Sequence, residues 1–193
     1  MKLAERVKQI LLSPDSEWRV IDTEPATVTQ LYTGYVMPLS AIGPIANLIG
    51  FSLIGSMGYR VPLGRALPYA LATYVLSLVG TYVLALIIDA LAPTFGGRRN
   101  QTQALKVAVY SSTATWIASI FSIIPPLSVL GILGLYSLYL LYLGLPRLMK
   151  SPKHKAVGYI IVVILAAILV FVVIGTIARQ FMIMMGPTGV ASR

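Results

Sequence analysis

Asp89 is the residue whose type and position most invite chemistry. The remaining acids, Glu5, Asp15, Glu17, Asp22 and Glu24, all precede the first long apolar run, whereas Asp89 lies within or at the end of the second. An ionised carboxylate at bilayer depth costs roughly 2.5–3.5 kcal/mol on the insertion scale, so it must be neutralised, paired, hydrated or placed at the interface. At about 100° per residue, Tyr74, Ser77, Thr81, Tyr82 and Asp89 fall within an arc of about 140°, which gives this run one polar face. Two readings follow. Asp89 is either a hydrated site for a proton or cation, or an interfacial residue that caps the Pro93–Gly97 loop or pairs with Arg98, Arg99 or Lys106.

The next run opens with Lys106 and carries Tyr110-Ser111-Ser112-Thr113-Ala114-Thr115-Trp116. Lys106, Tyr110 and Thr113 share a face by their i, i+4, i+7 spacing, and so many hydroxyls imply hydrogen bonds between helices, each contributing about 0.6 kcal/mol. They form either a structural polar core or part of a substrate path. Tyr136, Tyr139 and Tyr142 follow as a ladder that drifts around one face of the fourth run, a pattern that packs while sending hydroxyls to buried acceptors or to the interface. The single histidine, His154, sits among Lys150, Lys153 and Lys155 in what reads as a solvated loop, a poor place for a metal or a catalytic base. There is no P-loop, no G-x-S-x-G, no H-E-x-x-H and no dinucleotide fingerprint. An aspartyl dyad needs a second membrane acid. The sequence therefore argues for no enzyme, no cofactor and no metal.

The elements that must hold these residues are set by composition. Of 193 residues 57% are hydrophobic and 11% charged, where a soluble domain has roughly a quarter charged. Such a chain needs lipid over much of its surface. Cysteine is absent, which removes disulfides, thiolate metal sites and thiol nucleophiles. The net charge of +9 comes without a nucleic-acid recognition motif and reads instead as topology signal and contact for anionic headgroups. Five stretches approach the length of about 20 residues that a bilayer of about 30 Å demands: Leu31–Gly55, Ala66–Ala92, Ala104–Ile124, Leu127–Pro146 and Ala156–Ala178. Pro125-Pro126 makes a tight hairpin between the third and fourth. The first, with Pro38, Pro44 and three glycines, is expected to be kinked or locally unwound, with Ala46 and Gly50 permitting close helix contact. The fifth is almost purely aliphatic and faces lipid.

The fold class is thus all-α: a polytopic bundle of about five transmembrane helices with a short amphipathic N-terminal segment. Residues 1–25 form that cytoplasmic segment, 26–180 the membrane domain and 181–193 a tail. Within 1–25, Leu3, Val7, Ile10 and Leu11 have helical spacing, and the helix lies either on the membrane surface or on the protein's own bundle. Ser13-Pro14-Asp15 ends it and starts a short turn with Trp18 at headgroup depth. Lys2, Arg6, Lys8, Arg19, Arg98, Arg99, Lys106, Arg147, Lys150, Lys153 and Lys155 share one side of a five-span weave, against Arg60, Arg65, Arg179 and Arg193 on the other. That bias predicts a cytoplasmic N-terminus and an external or periplasmic C-terminus.

Three segments in order, Tyr35-Val36-Met37-Pro38-Leu39, Lys106 to Thr113, and Tyr136-Ser137-Leu138-Tyr139-Leu140-Leu141-Tyr142-Leu143-Gly144-Leu145-Pro146, resemble the prokaryotic branch of the Yip (Ypt-interacting protein) membrane family from about Ala26 to Ile177. The resemblance implies five spans and a cytoplasmic N-terminus in the cell (inner) membrane. Eukaryotic relatives are linked to Rab-type GTPases and vesicle budding, and carry an Asp-Leu-Tyr-Gly-Pro type motif where this chain has Tyr32-Thr33-Gly34-Tyr35. The expected role is a non-enzymatic protein that organises lipid, itself as a homo-oligomer, or other membrane proteins. The alternative is a small transporter or channel for protons, metal ions or a small solute, built on Asp89 and the core hydroxyls.

Overall fold

The computed structural model describes residues 2–55 and 60–184, and among these the chain is all-helical. The N-terminal amphipathic sequence forms two short helices, α1 (Leu3–Leu12) and α2 (Pro14–Thr23), divided at Ser13 with Pro14 at the first helical position of α2. Proline is tolerated there because that N–H would lack a helical partner anyway. A helical segment α3 (Val28–Ile54) follows, opened by a reciprocal cap in which Thr27 accepts from the Gln30 amide and the Gln30 side chain accepts from the Thr27 amide. Then come α4 (Leu63–Leu91), a broken helical segment α5 (residues 101–123), α6 (Pro125–Leu148) and α7 (Lys153–Met184).

Four of these, α3, α4, α6 and α7, are long and apolar enough to cross a membrane. The fifth expected crossing differs in kind. α5 is not one apolar rod but a helix (Gln101–Ser111) that breaks at Ser112, resumes over Thr113–Ala118 and tightens into a 3₁₀ turn over Ser119–Ile123. Its hydroxyls explain the break. Ser111 and Ser112 donate back to the carbonyls of Val107 and Ala108 at 2.6 and 2.7 Å, and Thr113 to that of Tyr110 at 2.8 Å. Such back-bonding bends helices. The Thr115 amide, freed by the break, finds Ser137 Oγ at 3.0 Å on α6, as backbone away from water must. Most hydroxyls of this segment thus bond within their own helix, and the links between helices expected from sequence reduce to a few, including Tyr35–Thr113 and Thr115–Ser137.

α5 is also the centre of the bundle. Every residue from Ala104 to Ser111 is buried, because α4, α6, α3 and the N-terminal hairpin surround it. A helix enclosed on all sides has no lipid-facing stripe to fill with large aliphatic residues. By contrast, α4 shows lipid a ridge of Leu67, Leu71, Val75, Val79 and Leu86, and α7 exposes Val157, Ile161, Leu165, Leu169 and Val172.

The first span is irregular, as its prolines and glycines imply. Tyr32–Val36 and Ile49–Ile54 are wound as π-helix. Its small residues face α5: Ala46 is buried, and a Cβ on Gly50 would overlap the Ser122 carbonyl oxygen. The Pro125 hairpin returns the chain into α6, whose first eleven residues form a 3₁₀ helix over Pro125–Leu135. Its Gly134 sits so close to α5 that a Cβ would lie 3.2 Å from Thr115 Cα.

Of the two placements expected for the N-terminal helix the structure has the second, against the protein's own bundle, and Trp18, expected at headgroup depth, is buried in the protein core with Ile10 and Ile21. His154 is not in a loop but in the first turn of α7, where it is exposed. Helix α7 runs to Met184, and residues 185–193 of the expected tail lie outside the described residues.

Candidate functional site

The bundle's most heavily charged interior lies where the α1–α2 hairpin meets α3 and α5. Trp18 anchors the hairpin. Its ring lies on Gly144 of α6, where a Cβ would stand 2.5 Å from Cζ2, and meets Tyr110 edge-on at a centroid distance of 6.3 Å. Gly144 belongs to the Tyr-Leu-Gly-Leu-Pro stretch, so its lack of a side chain is what lets a tryptophan dock there.

Arg6 is the electrostatic hub. It is 5% exposed, its guanidinium binds the carboxylates of Glu17 and Glu24, and it stands 5.6 Å from the Tyr110 ring centroid. A charge so enclosed requires partners, and the hairpin supplies both: one turn brings Arg6 of α1 against Glu17 of α2, while Glu24 caps the end of α2. From the other wall comes Lys106, 4% exposed, whose Nζ donates to the carbonyls of Ile21 at 2.8 Å and Glu24 at 2.6 Å. These are the orphan carbonyls of the α2 C-terminus, where a cation is favoured. Tyr35 completes the wall, its hydroxyl 2.9 Å from Thr113 Oγ1 and its ring 4.8 Å from that of Tyr110. The residues enclose a cavity of about 420 Å³, open past Pro25, Gln30 and Gly34.

The candidate residues named from sequence do not form one site. Lys106, Tyr110 and Thr113 join Tyr35 and the hairpin. Ser77 and Thr81 lie in a narrow apolar crevice between α4, α5 and α7, with Thr81 bonded to the Ser77 carbonyl at 2.9 Å. Tyr74 reaches the Met37 carbonyl at 3.3 Å. Tyr136 donates to the Leu11 carbonyl at 3.0 Å and so holds α1, but Tyr139 and Tyr142 turn outward, each about half exposed. Asp89 stands apart from all of these. It is half-buried, forms no ion pair among the described residues and does not cap the 93–97 loop; its neighbour is Tyr159, whose hydroxyl donates to the Ile88 carbonyl. The expected partner Lys106 is taken by the hairpin instead. Sequence reading missed Arg6, Glu17, Trp18 and Glu24. The signal available was five acids gathered before the first span of a cationic chain.

The rest of this end is stitched by polar contacts between loops. Lys150 meets Asp22 at 2.5 Å, Arg147 meets Asp15 at 3.4 Å and Gln103 reaches Asp22 Oδ1 at 3.1 Å. The Arg98 amide donates to the Met149 carbonyl at 2.9 Å, and Ser151 Oγ to that of Phe95 at 2.9 Å. Hairpin, α4–α5 loop and α6–α7 loop therefore sit together at one end of the bundle.

A model of the Yip1 domain matches residues 8–174, a stretch from within the docked hairpin to late in α7. The chain belongs to the Yip1-domain family. No curated protein and no solved structure matches it. Proteins of the Yip family are non-catalytic scaffolds, and this one is a non-enzymatic, multi-pass integral membrane protein with an organising role of the Yip kind. The transport alternative gains no support from the family, and the geometry separates Asp89 from the hydroxyls that were to accompany it.

Proposed function

We propose that this Yip1-domain protein, of the family's prokaryotic branch, sits in the inner membrane with its hairpin end in the cytoplasm, where it gathers anionic lipid and assembles with itself or other membrane proteins. In this reading residues 1–25 are the cytoplasmic cap of a membrane domain spanning 26–180, and α5 crosses as a fifth, protein-enclosed segment. The observation that carries it is the convergence of the hairpin, the α4–α5 loop bearing Arg98 and Arg99, and the end of α6 and its following loop bearing Arg147 and Lys150 at one end of the bundle. Cations at a membrane surface attract anionic headgroups by about 1 kcal/mol each, and cationic loops are retained in the cytoplasm. The 3₁₀ stretch of α6 leaves Val129, Ile132, Leu133 and Leu135 exposed, and these give lipid or another membrane protein an apolar face to meet.

Orientation is directly testable because the chain has no cysteine. Single-cysteine variants Ser16→Cys, Arg98→Cys and Arg60→Cys, at exposed positions, are treated with an impermeant maleimide in intact cells and in inverted vesicles. The first two are expected to label only in inverted vesicles and the third only in cells. Labelling of all three from one side would refute the weave.

A further inference from the structure

We infer that the cavity beneath the hairpin is a binding site for a single phosphate-type oxyanion carrying one negative charge, a phosphodiester being its best fit. The inference deepens the proposed gathering of anionic lipid by placing one such group inside the protein rather than on its surface.

The walls offer donors in excess of acceptors. Lys106 has three N–H donors and uses two on the Ile21 and Glu24 carbonyls. Arg6 has five and directs two at Glu17 and Glu24. Tyr110, 8% exposed, lines the same wall and adds a phenolic O–H donor. Gln30 accepts from the Thr27 amide through Oε1, which leaves its NH₂ at the mouth. On the acceptor side stands the Glu24 carboxylate, which already holds Arg6. A cation entering here would meet N–H and O–H groups; an oxyanion would be hydrogen-bonded by them.

Charge sets the valence. Arg6 and Lys106 are balanced by Glu17 behind the wall and Glu24 in it, so the cluster is formally neutral and a dianion would meet the Glu24 carboxylate without surplus cations. A monoanion gains several charge-assisted bonds and little repulsion. Position suggests the source: the mouth at Gln30 and Gly34 lies where α3 begins, the depth at which a phospholipid carries its phosphate. Soluble phosphate has the same oxygens, so experiment must separate the two.

The test is native mass spectrometry of the purified full-length protein released from micelles containing phosphatidylglycerol or diacylglycerol, with inorganic phosphate as competitor. One phosphatidylglycerol per chain is expected to be retained, and diacylglycerol none. Tyr110→Phe should weaken retention roughly tenfold, the loss of one hydrogen bond to a charged group. Gly34→Leu, at a position where an added Cβ meets nothing within 4 Å, should block the mouth while the melting temperature holds. Displacement by millimolar phosphate would support the oxyanion site and assign it a soluble source. Retention indifferent to both substitutions, or no retained lipid and no phosphate effect, would overturn the inference. Arg98→Gln with Arg99→Gln separates this from the broader reading: loosely bound lipid should fall while the single retained molecule stays, and if the loose lipid is unchanged, the surface reading fails on its own.

Discussion

Replacing Gly144 with alanine would put a methyl group 2.5, 2.6 and 2.7 Å from three carbons of the Trp18 ring. Carbon atoms rest at about 3.5–4.0 Å, so each contact is about 1 Å too close. The ring has nowhere to turn, being wholly buried and edge-on to Tyr110. The hairpin must lift, and overpacking of this kind costs roughly 1–3 kcal/mol. Against it stand Ile10, Trp18 and Ile21, whose burial contributes about 1.5–3 kcal/mol each, so the hairpin stays docked on average but opens about 5- to 150-fold more often. Alanine also favours helix over glycine by up to about 1 kcal/mol. That gain applies to α6 whether the hairpin is docked or not, so it cancels in the opening equilibrium but not in a melting temperature. Hydrogen exchange of the α1–α2 amides is therefore the right assay. They should exchange about 5- to 150-fold faster in Gly144→Ala, with the amides of α7 unchanged. Trp18→Leu in the same background should recover part of the loss, since contacting residues couple. Equal hairpin exchange in Gly144→Ala and wild type would refute the docking argument.

Arg6→Gln leaves Glu17 buried without its cation and is expected to destabilise hairpin docking by about 3–5 kcal/mol, read by protease cleavage between Thr23 and Val28; Arg6→Gln with Glu17→Gln should recover much of it. Gly50→Leu, whose side chain would collide with the 122–123 backbone, should lower the melting temperature, whereas Gly34→Ala, in open space within a helical stretch, should hold or slightly raise it. In proteoliposomes, Asp89→Asn and wild type should show the same proton and cation leak as protein-free vesicles; a flux present in wild type and lost in the variant would revive the transport reading.

How far these features were readable from sequence depended on range. Four of the five expected apolar runs were legible because bilayer thickness fixes their length, and the Pro125-Pro126 hairpin because two adjacent prolines end a helix locally. The irregular winding of α3 followed from Pro38, Pro44 and its glycines. Docking of the hairpin was not legible. A face of Leu3, Val7, Ile10 and Leu11 is equally suited to lipid and to protein, and what decides between them is a glycine on α6. The site failed for a related reason. Helical spacing grouped Lys106, Tyr110 and Thr113 correctly on one face, but for Lys106 it offered only Asp89, itself one reading among several, as a partner. The carbonyls at the end of α2 won instead, and no side-chain pattern announces an orphan backbone acceptor.

The burial of α5 links this charged end to the way the bundle is built. A segment with Lys106 and a row of hydroxyls is a poor lipid-facing span, and α5 is buried throughout from Ala104 to Ser111. In the proposed five-span weave it can be held at bilayer depth only if neighbours cover it and if the Lys106 ammonium has acceptors at its end. The hairpin does the second through the Ile21 and Glu24 carbonyls, and Arg6 fixes those carbonyls in place by binding Glu17 and Glu24. The hairpin is thus the element that lets a polar helix occupy the centre of the bundle. Its removal should expose Lys106 and Tyr110 together, loosening α5 before the aliphatic spans α4 and α7. A chain lacking residues 2–25 should therefore lose exchange protection first in residues 101–113, with α4 and α7 still protected. Uniform loss across all helices would show that α5 does not depend on the hairpin.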